Sequence, residues 1–202
     1  MNYKISNIVK NENLKILTLQ YKPIKLKDLD LTILSNTEKI RFQSFKSSKR
    51  KREFYFTRVL WRSFNEFQEI KYSENGRPTI KDGFISISHS KNLIAISYSH
   101  KKRIGLDIEH YNAKIYKIKN KFLSNTELEL FDCTDKKTIT TLWSIKEAVY
   151  KLLSMNGISF KKNIQIKEIG EINRVKIILP ENEKELKFSR LIFDEYILTY
   201  CT

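Results

Sequence analysis

The sequence predicts an α+β chain built as two comparable lobes, and three observations carry that expectation. Element signals run in the order helices, sheet, helices, sheet. The 202 residues suffice for one large domain or two small lobes with a proper core. Hydrophobic residues at 41% and aromatics at 12% mark a globular chain rather than a disordered one.

Taken in order, residues 14–20 and 31–34 read as short strands or loops. From Asn36 to residue 67 the pattern is helical, with Phe42, Phe45, Phe54, Phe56, Val59, Leu60 and Phe64 in apolar stripes. The second of two helices there should begin at the basic run SSKRKREF, residues 47–54. The turn signal SENGRP, residues 73–78, closes the region. Residues 84–109 then read as three consecutive strands, FISIS, LIAISY and RIGLDIE, joined by connections short enough for an antiparallel meander. A helical pattern over 115–131 and a polar loop at 132–137 precede the amphipathic segment LWSIKEAVYKLLS, residues 142–154. Four more strands fill 164–201. The boundary between lobes should fall near residues 99–104.

The formal net charge of +15 predicts attraction to a polyanion: nucleic acid, an anionic membrane, a phosphorylated cofactor or an acidic protein. No apolar run is long enough for a transmembrane helix, so no membrane partner is expected. The N-terminal stretch lacks an apolar core of signal-peptide length, and Cys133 and Cys201 form no spacing motif. Both features predict a cytoplasmic product with free thiols.

In RIGLDIE the alternation puts Gly105, Asp107 and Glu109 on one strand face. Two carboxylates at that spacing can reach one cation, and without one they repel. The meander would bring Ser88 and His89 to the same end of the sheet. Oxygen-only ligands point to a hard cation such as Mg²⁺, which recruits phosphate oxygens. Glu147, on the polar side of its helix with Lys151 one turn later, is the candidate third acid, and Lys151 would then lie beside the phosphate. On spacing alone, a solvated strand face and a surface ion pair account for the same letters.

Five short motifs in order resemble the 4′-phosphopantetheinyl transferase superfamily. GLDIE (105–109) is similar to its G-[IV]-D-[IV]-E motif, with leucine at 106. WSIKEAVYK (143–151) matches its second signature, [FW]-[SCT]-x-K-E-[AS]-x-x-K. GRPTI, FISISHS and KREFYFTRVLWRSF resemble further segments of the family. The length resembles the longer, two-lobed (Sfp-type) class. That resemblance implies a pseudo-dimer of similar lobes, 1–102 and 103–202, each an antiparallel sheet packed with helices, with the active site at the lobe interface.

It also implies roles. Asp107, Glu109 and Glu147 would coordinate Mg²⁺, with Mn²⁺ as a substitute, on the pyrophosphate of coenzyme A. Glu147 and Lys151 would be the catalytic pair. Lys49, Arg52, Arg77 and Lys146 would make further contacts to coenzyme A, and Ser88 with His89 would bind its 3′-phosphate. The implied reaction transfers the 4′-phosphopantetheine arm to a serine of an acidic acyl or peptidyl carrier protein, releasing 3′,5′-ADP, by a monomer. Two alternatives stand beside it: a basic nucleic-acid-binding protein and a non-catalytic carrier-binding relative. Against the first, the chain has no helix-turn-helix, zinc spacing or RNP-like strand, so no nucleic acid is expected as partner.

Overall fold

A computed structural model describes residues 3–64 and 68–202; the end of the expected helical stretch, residues 65–67, lies outside them. The chain divides into two compact units, Met1–Lys101 and Lys102–Thr202.

The first unit holds β1 (Tyr3–Lys10), β2 (Lys15–Tyr21), α1 (Asn36–Ser44), α2 (Ser48–Arg62), β3 (Lys71–Tyr72), β4 (Pro78–Thr79), β5 (Phe84–Ser90) and β6 (Leu93–Ser99). Four of its strands form an antiparallel sheet in the order β1-β2-β6-β5. Every residue of β6 is buried, because a strand with neighbours on both edges and cover on both faces has no solvated side. That is why LIAISY reads as a continuous apolar run. Within 31–34, read as a short strand or loop, residues Leu31–Ile33 form a 3₁₀ turn whose start is capped by Asp30. Helix α2 starts as expected within the basic run: Ser47 accepts a hydrogen bond from the Arg50 backbone N–H, satisfying one of the unpaired donors of the first turn. Its inner side carries Phe56, stacked on Tyr21 with ring centroids 4.2 Å apart.

The second unit holds β7 (Gly105–His110), α3 (Ala113–Lys117), α4 (Lys119–Phe122), α5 (Asn125–Leu130), α6 (Lys136–Leu153), α7 (Phe160–Asn163), β8 (Ile164–Glu168), β9 (Arg174–Ile178), β10 (Glu183–Ile192) and β11 (Tyr196–Cys201). Its antiparallel sheet runs β7-β11-β10-β9-β8. The four strands expected in the tail are all present. The single helical stretch expected at 115–131 is three short helices, since Asn112 and Ser124 each cap a new start. Helix α6 begins at an Asp135 cap and ends where Ser154 turns left-handed at φ 51°. Its apolar stripe, Ile139, Leu142, Ile145 and Val149, is fully buried in the unit's core.

One expectation is overturned. RIGLDIE is not the third strand of a meander: β7 pairs with β11, placing Asp107 opposite Thr199. The physical reason is that both edges of β6 are already occupied, by β2 and β5. Ser88 and His89 therefore do not share a sheet with Asp107 and Glu109. No helix among the described residues is long and apolar enough to cross a membrane.

Candidate active site

The second unit joins its two motifs through a glycine. A Cβ at Gly105 would stand 1.8 Å from the Ala148 carbonyl oxygen and 2.8 Å from the Leu152 nitrogen. Only a residue without a side chain lets the α6 backbone come so close to β7. Asp107, two residues on, shares the face of Gly105 and so faces the same helix. Lys151 Nζ donates to Asp107 Oδ1 at 2.9 Å and to the Leu106 carbonyl at 3.0 Å. Ser144 Oγ donates to Thr199 Oγ1 at 3.2 Å, tying α6 to β11 directly across from Asp107.

Glu147 stands one turn before Lys151, half-buried. Burial pushes its carboxyl up to about 7; Lys151 pulls it down, and the charge of Asp107 adds to the rise. Asp107 is paired with Lys151, and Glu147, one turn earlier on the helix, feels the charges of both. A divalent cation relieves that arrangement, and oxygen-only donors suit a hard ion. The expected trio is not closed into one cluster, however. Among the described residues no group of three His, Cys, Asp or Glu side chains is gathered tightly enough to hold a metal. Glu109 lies on the same face of β7 as Asp107, in register with Ile197.

Lys146 departs from its expected role as a coenzyme A contact. Its side chain is 0% exposed, and Nζ lies 2.8 Å from both carboxylate oxygens of Glu127. The same ammonium donates to the carbonyls of Phe160 and Ile164 at 2.9 and 2.6 Å. Burial lowers its pKa to about 8, with the Glu127 charge opposing the fall. With its donors committed to the interior, Lys146 has none to offer a phosphate. Glu127 escaped the sequence reading, although the capping-box letters S-x-x-E at 124–127 carried a local signal for it.

In the first unit, His89 meets α2. Arg50 Nη1 lies 3.1 Å from His89 Nε2 and donates to it, leaving Nδ1, 3.4 Å from Glu53 Oε1, to carry the ring proton. Lys49 and Arg50 also flank the buried Glu53 carboxylate, at 3.5 and 3.6 Å. Arg50 and His89 line a small cavity of about 140 Å³ with Glu53, Gly76 and Pro78, the neighbours of Arg77 in the SENGRP turn. Arg77 itself is held by its backbone, which donates to Ser73 Oγ and accepts from Ser73 N–H. Ser88 is buried on the strand face opposite His89, so their side chains diverge.

Lys49 and Arg52 line a second and larger cavity of about 710 Å³, together with Tyr21, Lys25, Lys91 and Asn92. Four cationic side chains around one opening make it the more strongly anion-attracting of the two. Arg50, Glu53, Lys25 and Lys91 were missed in the sequence. For the first two, a one-residue difference in helix phase decides which cavity a side chain reaches.

Residues 103–201, nearly the whole second unit, match the family model described as the 4′-phosphopantetheinyl transferase superfamily. No curated protein matches the chain.

Proposed function

We propose, from the premise that this chain belongs to the 4′-phosphopantetheinyl transferase superfamily, that it is an active, Mg²⁺-dependent enzyme of the longer, two-lobed class. The superfamily transfers phosphopantetheine from coenzyme A to carrier proteins. The observation that carries the proposal is the meeting of Asp107, Glu147 and Lys151, where the two signature motifs converge across β7 and α6.

In this reading the carrier serine Oγ attacks the β-phosphorus of coenzyme A. A new P–O bond forms, the bond to the bridging oxygen breaks, and 3′,5′-ADP departs with the electron pair. Glu147 accepts the serine proton, and Lys151 offsets negative charge on the phosphates. Asp107, Glu109 and Glu147 are the residues that would hold Mg²⁺, or Mn²⁺ in its place. When bound, the ion supplies charge neutralisation at the diphosphate. Arg50 and His89 serve the 3′-phosphate, while Lys49 and Arg52, with Lys25 and Lys91, serve the rest of the nucleotide. The charge of +15 favours encounter with an acidic acyl or peptidyl carrier. We place the enzyme in the cytoplasm, as a monomer.

The test mixes the purified protein with coenzyme A, Mg²⁺ and a panel of apo carriers. A carrier mass gain of about 340 Da is expected, the mass of the transferred arm. EDTA should stop the gain and Mg²⁺ or Mn²⁺ restore it. No gain in any carrier removes the enzyme reading, and an unchanged rate in EDTA removes the metal.

A further inference from the structure

Glu147 sits between two anchored neighbours. On an α-helix successive residues are turned by roughly 100°, so Lys146 and Ala148 point to opposite flanks of the direction Glu147 takes. On the Ala148 flank, the backbone of α6 presses against Gly105 of β7. The Lys146 flank ends in a network that reaches three other elements. Lys146 Nζ grips Glu127 of α5, the Phe160 carbonyl of α7 and the Ile164 carbonyl that begins β8. Glu127 in turn accepts from the Ile166 N–H of β8 at 2.8 Å, and from the Ser124 N–H and Oγ at 2.8 and 3.0 Å.

We propose that Lys146 and Glu127 are positioning residues: their buried pair fixes the roll of α6, so that Glu147 and Lys151 stay turned toward Asp107, and neither touches substrate. The inference rests on the assignment of Glu147 and Lys151 to the reaction. An apolar pair of similar volume would fill the same space at no loss of stability, and often with a gain, because burying two charges is expensive. What an apolar pair lacks is direction. An ammonium with three acceptors in fixed places admits one helix roll, whereas the stripe of Ile139, Leu142, Ile145 and Val149 tolerates several. The first lysine of the W-S-I-K-E signature is then an inward anchor for the glutamate that follows it.

The experiment compares wild type with Lys146→Met, Lys146→Met/Glu127→Leu and Glu127→Gln, reading thermal midpoint, KM for coenzyme A and kcat. The single Met variant should lose stability, and the double variant should regain it. The double variant should nevertheless keep a kcat about 10- to 100-fold below wild type, the cost of a reacting group displaced by about an ångström. Its KM for coenzyme A should stay within about twofold. Recovery of kcat along with the thermal midpoint overturns the proposal, making the pair structural only. A large rise in KM with kcat unchanged also overturns it, returning Lys146 to the phosphates. Should the double variant not fold, Glu127→Gln, which keeps the shape and the Ile166 hydrogen bond, gives the same readout. A kcat equal to wild type there overturns the clamp. If wild type modifies no carrier at all, the functional reading fails instead. The clamp is then read from a crystal structure of Glu127→Gln, where a Lys151–Asp107 contact still at 2.9 Å overturns it.

Discussion

Lys146 and Lys151 stand five residues apart on one helix, each within 2.9 Å of a carboxylate, yet they live in different media. The Lys146 and Glu127 side chains are 0% and 2% exposed, and the partners' other hydrogen bonds are met by backbone and by Ser124. Lys151 is 27% exposed over an Asp107 that is 3% exposed. Water can therefore reach the Lys151 ammonium, and a phosphate oxygen that the ammonium attracts can reach it too. The sealed pair is a fixture, and the open pair is a place where charge can be exchanged. Sequence adjacency to Glu147 says nothing about which lysine is which; the flank of the helix on which each projects decides it.

The sharpest way to break this comparison is to remove each ammonium in turn. Lys146→Met leaves Glu127 charged in the interior and should cost about 3–5 kcal/mol of stability. Lys151→Met also strips a buried carboxylate of its ammonium, but the partly exposed place that Lys151 leaves admits water to Asp107, so the cost should be smaller, about 1.5 kcal/mol. Urea midpoints at constant slope measure both. Equal losses would erase the distinction between fixture and exchangeable site.

Next in size is the contact that brings the open pair together. Gly105→Ala places a methyl against the Ala148 carbonyl, so β7 or α6 must move. The expected loss is about 3 kcal/mol, at the upper end for overpacking. The shift should also loosen the Asp107–Lys151 contact, which a crystal structure of the variant reads directly. A stable variant with that contact intact would show that the glycine is not what sets the approach.

The sequence displayed the open pair better than the sealed one. GLDIE and WSIKEAVYK carry Asp107, Glu147 and Lys151 in plain view, since strand alternation and helical spacing are local rules. Lys146 was assigned to coenzyme A by the family resemblance alone, not by its place on the helix. Its wheel position beside Leu142 and Val149 was the countersignal, and its partner Glu127 lay in a different helix. The meander failed for a related reason. Strand pairing is non-local, and a short link such as SHKK looks like a hairpin until β2 is known to hold the other edge of β6. The opening strand β1 was overlooked because its alternation YKISNIVK is diluted by polar residues on a partly exposed edge. In the basic run, the helix start was legible but its phase was not, so Lys49 and Arg52 were chosen for phosphate where Arg50 is the residue that reaches His89.

The smallest expected effect has the most informative sign. Burial raises the Glu147 pKa from 4.5 in the unfolded chain to about 7 in the folded one, so its ionised form is better tolerated unfolded than folded. The resulting penalty is absent below pH about 4.5, grows as pH rises toward the folded value of about 7, and stays constant above it. Glu147→Gln removes the charge while keeping the shape, so in EDTA it should be more stable than wild type by about 1–2 kcal/mol at pH 8. That advantage should shrink steadily toward pH 5. The same variant should lose about 10²- to 10⁴-fold in transfer rate, the range expected for a lost general base. A gain in stability joined to a loss of rate is what a strained reactive group gives and a structural one does not. Wild type more stable than Glu147→Gln at pH 8, or a difference flat from pH 5 to 8, would place Glu147 with Lys146 among the fixtures.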